Sequence, residues 1–331
     1  MAIQLNPQIM LKILTQISRF LIGALFIYSG FVKLVDPMGS AFKFQEYFSE
    51  SVLNLTFLSP FALQFAILLV VAELVLGVML IMGYLPKLTV WSIVGLNIIF
   101  LFLTWYSYTY NKVTDCGCFG DAIKLTPGET FYKNVIFMVF IIILVLGLRY
   151  IKPLISTKFA GFTSLAALLG CLGIVFYVLN HLPIIDFRAY SVGTNIAQGM
   201  EYQGDGEVPP IHDFMIETDD GDKLEEMMAK DKAMLIMLYN FTKMEKEGLP
   251  AVSKVAAEAK AKGYEIYVLT ADYIEDLEAT QKEFGLPYTF GFCDETALKT
   301  AIRANPGIMI VEKGTITQKY NWTDADDVDL Q

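Results

Sequence analysis

Five long apolar stretches, at about 14–35, 59–84, 87–108, 132–150 and 157–180, decide what this 331-residue chain can become. About 20 apolar residues cover a hydrocarbon core of ~30 Å. In lipid the backbone must satisfy its own hydrogen bonds, so each stretch is expected to be a helix. The second and third are joined by the tight "GYLPKL" turn, where Pro86 limits continuation of the helix. The first apolar run is read as a permanent span, since four more follow it and no small-residue cleavage site precedes a soluble remainder. Between the first two spans, Phe42, Phe44, Tyr47 and Phe48 fit a helix that lies in the membrane interface or covers the mouth of the bundle.

Charge divides the chain. Residues 1–182 carry 11 Lys and Arg against 7 Asp and Glu, a net of +4, while residues 183–331 carry 14 against 28, a net of −14. An acidic second half argues against nucleic acid as a partner, because phosphate recognition needs a cationic surface. Membrane lipid is the partner of the first half. Flanking Lys and Arg, including Lys33, Lys112, Lys124 and Lys133 on one side, are nearly even in number on the two sides of the spans. The dense Arg149 to Lys158 cluster favours a cytoplasmic N-terminus. Two spans then separate the loop at 114–121 from the C-terminal half, which puts both outside the cytoplasm of a multi-pass bacterial inner-membrane protein.

Two features of the apolar half carry chemistry. Glu73 sits near the middle of the second span, where a carboxylate without a partner costs at least ~2.5 kcal/mol on insertion scales. Arg19 lies inside the first span from the same membrane face, so an Arg19–Glu73 pair is the candidate intramembrane contact, either as a structural pin or as part of a proton or quinone site. A quinone is the one cofactor left open. The second feature is "TDCGCFGD", with Cys116 and Cys118 one glycine apart. Thiol exchange needs an attacking thiolate and a second thiol to resolve the mixed disulfide, and the short strained ring of such a pair is easily reduced. Asp115 and Asp121 would raise the thiol pKa values unless Lys112 or Lys124 offsets them. An inert disulfide and a partial metal site are the competing readings. The chain has only two histidines, His181 and His212, and a structural zinc takes four ligands, so no metal site is assigned.

The motifs resemble known families. "SRFLIGALFIYSGFVKLVDPMG", "AELVLGVMLIMG" and "CGCFGD" occur in the order found in the DoxX and MauE families, and the resemblance covers about residues 15–180. It implies association with membrane redox complexes or with maturation of disulfide-rich exported enzymes.

Beyond a Gly- and Pro-punctuated connector at 183–209, strand-like and helix-like segments alternate, which predicts a mixed sheet with flanking helices over 210–331. The order, with Asn305-Pro306 ahead of a strand and Lys313-Gly314 at a hairpin turn, is similar to a thioredoxin-like domain of the TlpA kind. The resemblance implies a cis-proline at Pro306 shaping a peptide-binding edge. This sequence departs from the pattern where it matters most: "YNFTKMEKEG" has Thr242 and Glu245 where the family has its C-x-x-C cysteines. Cys293, at the end of "YTFGFCD", is a candidate thiol at the sheet's carboxyl edge, with a buried inert residue as the alternative. Cys171 and Met227, Met228, Met234, Met237 and Met244 are read as packing residues.

The expected architecture is therefore a transmembrane helical domain at 1–182, the connector, and a thioredoxin-like domain without C-x-x-C at 210–331. Its expected function is assistance to thiol-disulfide exchange or redox-linked maturation of exported client proteins. Cys116 and Cys118 would act as a candidate oxidoreductase pair. The rival is a non-catalytic scaffold that recruits partners into a membrane redox complex through the degenerate domain.

Overall fold

The structure, a computed structural model, describes residues 6–113, 117–123, 125–202, 204 and 208–331. Cys116 and Lys124 lie outside the described residues. The chain divides into two compact units, Met1–Leu179 and Asn180–Gln331.

The first unit is helical: α1 (Pro7–Leu34), α2 (Pro37–Phe48), α3 (Ala62–Met82), α4 (Pro86–Tyr110), α5 (Pro127–Leu146) and α6 (Thr157–Asn180). Proline opens α1, α2, α4 and α5, where its missing N–H costs nothing. Asn6, Asp36 and Thr126 cap three of these starts through their side chains. Gly83, left-handed at φ +71°, ends α3 three residues before Pro86 starts α4, which is how "GYLPKL" turns. Among the described residues, five helices are long and apolar enough to cross a membrane: Pro7–Leu34, Thr56–Met82, Pro86–Tyr110, Pro127–Leu146 and Thr157–Asn180. They correspond to the five stretches expected from the sequence.

Glycine sets the closest approach. α1 and α3 run antiparallel with Gly23 against Gly77, and a Cβ on Gly77 would sit 2.8 Å from the Gly23 carbonyl oxygen. A Cβ on Gly30 would sit 2.7 Å from the Leu74 backbone nitrogen. Small residues at these points let the backbones meet, the usual route to tight helix pairs in lipid.

Helix α2 is a cover for the bundle mouth. Its Tyr47 and Phe48 are buried with Val52 and Val113, Tyr47 Oη lies 3.1 Å from Ser107 Oγ on α4, and Phe48 packs edge-on to Phe65 of α3.

In the second unit the chain adds α7 (Ile196–Gly199), β1 (Glu217–Thr218), β2 (Gly221–Asp222), α8 (Leu224–Ala229), β3 (Ala233–Met237), α9 (Leu249–Ala261), β4 (Glu265–Thr270), α10 (Leu277–Phe284), β5 (Thr289–Phe292), α11 (Glu295–Ala301), β6 (Gly307–Glu312) and β7 (Thr315–Asn321). The strands form one mixed sheet in the order β2-β1-β5-β4-β3-β6-β7. β3, β4 and β5 are parallel, and the β6–β7 hairpin closes antiparallel on β3. A central strand flanked by a parallel neighbour and an antiparallel hairpin, with a cis peptide at Asn305-Pro306 ahead of the hairpin, is the thioredoxin-like arrangement. Period-two alternation builds both layers of the core. Ala233, Leu235 and Met237 of β3 face one cluster, and Met234 and Ile236 face the other. Met227 and Met244 are buried in the same two clusters, and Met228 packs against the first, as packing residues should.

The stretch read as a connector belongs to this core. Tyr190, Ile196 and Ile211 are buried in it, Asn195 bridges to Thr315, and Ile196 N–H donates to the Gly314 carbonyl at 2.8 Å. Asp186 accepts from Arg188 Nε at 2.7 Å and from Lys319 Nζ at 2.7 Å, a buried charge cluster that ties the stretch to β7. Burial of Tyr190 and Ile196 within the stretch, and of Ile211 just beyond it, outweighs the loop-like Gly and Pro content.

Candidate functional site

The register of α1 on α3 decides which charges meet. Arg19 lies level with the C-terminal turn of α3, where its Nε donates to the Leu80 carbonyl at 2.9 Å and Nη2 to the Ile81 carbonyl at 2.7 Å. It also donates to Gln16 Oε1 at 3.2 Å. A guanidinium on carbonyls at a helix C-terminus satisfies acceptors that the helix leaves open and complements its dipole. Eight residues separate Ile81 from Glu73 along α3, or ~12 Å at ~1.5 Å per residue. The expected Arg19–Glu73 pair therefore does not form.

Glu73 is paired instead with Lys33. Lys33 Nζ lies 2.7 Å from Glu73 Oε1 and 2.6 Å from Oε2, and both side chains are almost fully buried. Lys33, counted from the sequence only among flanking charges, sits on the last turn of α1 and reaches back along it. Ser29, one turn earlier, stands 3.0 Å from Glu73 Oε2 and donates to the Cys118 carbonyl at 2.9 Å. One ion pair on two spans is thus linked through a single hydroxyl to the C-G-C segment.

Cys118 occupies a turn laid on the bundle. Gly117 and Gly120 adopt φ +62° and +53°, and Gly120 N–H donates to the Gly117 carbonyl at 3.1 Å. A Cβ on Gly117 would come 3.1 Å from Lys43 Cγ of α2, and one on Gly120 would come 3.3 Å from Val32 of α1. Phe119 is buried, with Tyr28 5.8 Å away ring to ring and Lys133 Nζ 4.2 Å from its centroid. Half-buried Cys118 therefore has a fixed place, and its partner in the motif, Cys116, lies outside the described residues.

Beneath this turn is a cleft lined by Cys118, Ser29, Lys33, Glu73, Lys133 and the amides Asn97 and Asn134, with Phe26, Phe100, Phe119 and Phe137 as walls. Asn97 donates to the Asn134 carbonyl at 3.3 Å, which holds α4 and α5 together at this depth. The enclosed part has room for about one water molecule.

The sequence reading missed Ser29, Lys33 and Lys133. The signal that could have found the first two was present: Lys33 is four residues after Ser29, one helical turn, inside an otherwise apolar segment. Of the two lysines expected to offset the acidic flanks of the motif, Lys112 binds the Ser51 carbonyl and Lys124 lies outside the described residues.

In the second unit Asn305 and Pro306 come together with the loop that replaces the C-x-x-C pair. Asn305 Nδ2 donates to the Asn240 carbonyl at 2.7 Å, and Glu245 N–H donates to the Asn305 carbonyl at 2.9 Å. Thr242 Oγ1 bonds Asn240 Oδ1 at 2.7 Å, and Trp322 Nε1 donates to Glu245 Oε2 at 2.6 Å. Cys293 does not join them. It follows β5, three strand spacings from β6 and hence ~14 Å across the sheet at ~4.8 Å each. Its side chain is fully buried, and burial pushes its thiol up to about 12, with Asp294 adding to the rise. Such a thiol is protonated and enclosed. Cys171 is also buried, packed with Leu34, Val70, Val71 and Val175. His181 Nδ1 lies 2.6 Å from Asp324 and His212 Nδ1 3.0 Å from the Pro209 carbonyl.

With the bundle, the intramembrane pair and the C-G-C turn in view, comparison with known proteins places the first unit. Residues 11–147 match the family of the methylamine utilisation protein MauE. The five apolar helices and this match make the chain a multi-pass membrane protein. The C-terminal part is similar to a thiol:disulfide interchange protein from Bacteroides sp., at 19% identity and a TM-score of 0.27, covering 32% of this chain and 75% of that one. It is also similar to the thioredoxin domain of a thiol-disulfide oxidoreductase from Bacteroides vulgatus, at 19% identity and a TM-score of 0.26, covering 32% and 81%. The thioredoxin-like assignment rests on the strand order given above. No curated protein matches the chain.

Proposed function

We propose that this protein is a redox-linked membrane protein that exchanges disulfides with exported client proteins through Cys116 and Cys118. The C-G-C turn and the C-terminal unit are both assigned to the extracytoplasmic side of a bacterial inner membrane. The observation that carries the reading is the seat of Cys118: a glycine-shaped turn pinned by Ser29 over a cleft that holds a buried ion pair and a second lysine. An inert surface disulfide has no need of such an environment, and charged groups beside a thiol are the surroundings in which reactive cysteines are found. The second unit lacks cysteines at its would-be active loop, so its role is to present clients rather than to oxidise them.

A scaffold without thiol chemistry is the second reading, favoured by Thr242 and Glu245 at those positions. One experiment separates the two. In cells carrying Cys118→Ala, the remaining Cys116 thiol should accumulate as mixed disulfides with client proteins, isolated under acid quench and identified by mass spectrometry. If Cys118→Ala yields no more mixed disulfides than the Cys116→Ala/Cys118→Ala double variant, the scaffold reading stands.

A further inference from the structure

Three oxygen atoms beneath the C-G-C turn share fewer hydrogens than their spacing calls for. Ser29 Oγ lies 3.0 Å from Glu73 Oε2 and 2.9 Å from the Cys118 carbonyl oxygen, both hydrogen-bond distances. A serine hydroxyl has one hydrogen to donate, and neither an ionised carboxylate nor a carbonyl has any. With Glu73 ionised, one of the two contacts is therefore a pair of bare oxygens. The carboxylate is the stronger competitor for the hydrogen, because a bond to a charged group is roughly twice as strong as one between neutral groups. A hydrogen on Glu73 Oε2 removes the conflict: Glu73 then donates to Ser29 Oγ, and Ser29 donates to Cys118. Lys33 Nζ, 2.7 Å from Glu73 Oε1, remains a donor to that oxygen in either state.

We propose that Glu73 is a proton-binding site whose occupancy is passed by Ser29 to the turn that carries Cys118. When Glu73 is ionised, the Ser29 hydroxyl donates to Oε2 and its hold on the Cys118 carbonyl is released. When Oε2 takes a proton from water, Ser29 turns its hydrogen to the Cys118 carbonyl and fastens the turn to α1. Loss of that proton to water reverses both changes, and no electrons move. The setting makes the choice between acceptors matter: Glu73 and Lys33 are 1% and 4% exposed, and hydrogen bonds in such surroundings are strong when made and costly when left unmade. Among the described residues, the other titratable or charged groups around the site are Lys133 and Cys118 in the cleft, Asp121 in the turn, the Lys43–Glu46 pair of α2, and Cys171 of α6 in one cluster with Val70 and Val71. Helix α4 contributes the neutral Asn97. The inference goes beyond the exchange reading and stands without it. On that reading, Ser29 is a positioning residue for the thiol and Glu73 sets its seat.

The test reads the Cys118 carbonyl directly. Cys118-Phe119 is the only Cys-Phe step in the sequence. Full-length protein labelled at the cysteine carbonyl carbons and the phenylalanine nitrogens, in lipid bilayers, therefore gives one nitrogen-filtered carbonyl signal in solid-state NMR, and a stronger hydrogen bond moves it downfield. Acidifying the native sample from neutral pH should move the signal downfield. Glu73→Gln should place it downfield already at neutral pH and abolish the acid response, because Lys33 on Oε1 leaves the amide Nε2–H to donate to Ser29. Ser29→Ala should move the signal upfield and make it insensitive both to acid and to added Glu73→Gln, while Ser29→Thr, which keeps the hydroxyl, should respond as the native protein does. The Cys171 and Cys293 carbonyls, labelled in the same samples, should hold their shifts and so report an intact fold. A native signal that ignores acid overturns the proposal. So does an acid response that survives in Glu73→Gln, or one of equal size in Ser29→Ala. The Glu73→Gln and Ser29→Thr samples decide the matter even where Ser29→Ala fails to fold. Failed client trapping with a responsive carbonyl rejects the exchange reading alone, and successful trapping with an unresponsive carbonyl rejects the proton site alone.

Discussion

Removing one partner of the Lys33–Glu73 pair should cost more than removing both. Both side chains are almost fully buried and meet at 2.6 Å between spans α1 and α3. Lys33→Met leaves the Glu73 carboxylate with the Ser29 hydroxyl beside it, 3.0 Å away and shared with the Cys118 carbonyl, in the lipid-embedded bundle. A buried charge stripped of its partner costs ~3–5 kcal/mol, while replacing a whole buried pair with apolar groups is often close to neutral. Insertion scales put a single central charge at ~2.5–3.5 kcal/mol, which agrees in size. Lys33→Met and Glu73→Met should each destabilise by ~3 kcal/mol, and the double variant by ~1–3 kcal/mol. The resulting coupling, ~3 kcal/mol or more, is at the top of the range for contacting residues. The assay is a double-mutant cycle on the full-length protein in bicelles, unfolded by a rising SDS mole fraction and followed by Trp fluorescence. Additive losses, with a coupling below ~0.5 kcal/mol, would show that the two side chains do not act as a pair. Arg19→Gln combined with Glu73→Met should by contrast be additive, because ~12 Å separates their positions along the bundle.

Gly77→Ala should destabilise the bundle by ~1–3 kcal/mol in the same assay, since its Cβ would meet the Gly23 carbonyl oxygen at 2.8 Å, whereas Gly95→Ala, with open space at that Cβ, should not. Burial, and then Arg188, lower Lys319 from the usual 10.5 to about 7, so between about pH 7 and that ordinary value the unfolded chain holds a proton the folded one has shed. Stability of β7 should therefore rise with pH across that window. Hydrogen exchange of β7 amides in the intact protein should slow from pH 7 to 9 after correction for intrinsic rates, and Lys319→Met should remove the slope; an identical slope in that variant would assign it elsewhere. Cys293 should resist maleimide in native membranes and react only after denaturation, and fast native labelling would contradict its burial.

The spans were legible because length and apolarity are local properties, and the sheet because β3 and β6 are buried on both faces and read as short apolar runs between turn residues. Partner choice inside the bundle was not. Arg19 and Glu73 looked matched when depth was counted from one membrane face, but Gly23 and Gly77 set the helix register, and that register carries Glu73 toward Ser29 and Lys33. Lys133 was invisible for a related reason. It is remote in sequence from the C-G-C motif's bundle contacts on α1 and α3, and only the fold of the turn brings Phe119 beneath it. In the second unit the composition of residues 183–209 suggested a linker, because Gly and Pro content reports backbone freedom and says nothing of the sheet face that Tyr190 and Ile196 cover.

On the proposed exchange reading the two units divide the requirements of thiol chemistry between them. Around Asn305 and Pro306 three polar groups are engaged, the Asn305 carbonyl by Glu245 N–H, the Glu245 carboxylate by Trp322 and the Asn240 carbonyl by Asn305, while Asn305 Oδ1 is buried without a hydrogen-bond partner. Positions 242 and 245 carry Thr and Glu, so that edge has no thiol pair to offer. Cys293, fully buried, cannot substitute for either. The C-G-C turn has the opposite character, since its glycines bring backbone against α1 and α2 while Cys118 stays half-buried beside two lysines. Among the described cysteines Cys118 is partly open to solvent, while Cys171 and Cys293 are buried. On the proposed exchange reading the chemistry belongs to the membrane unit, and the part of the C-terminal unit is to bind clients.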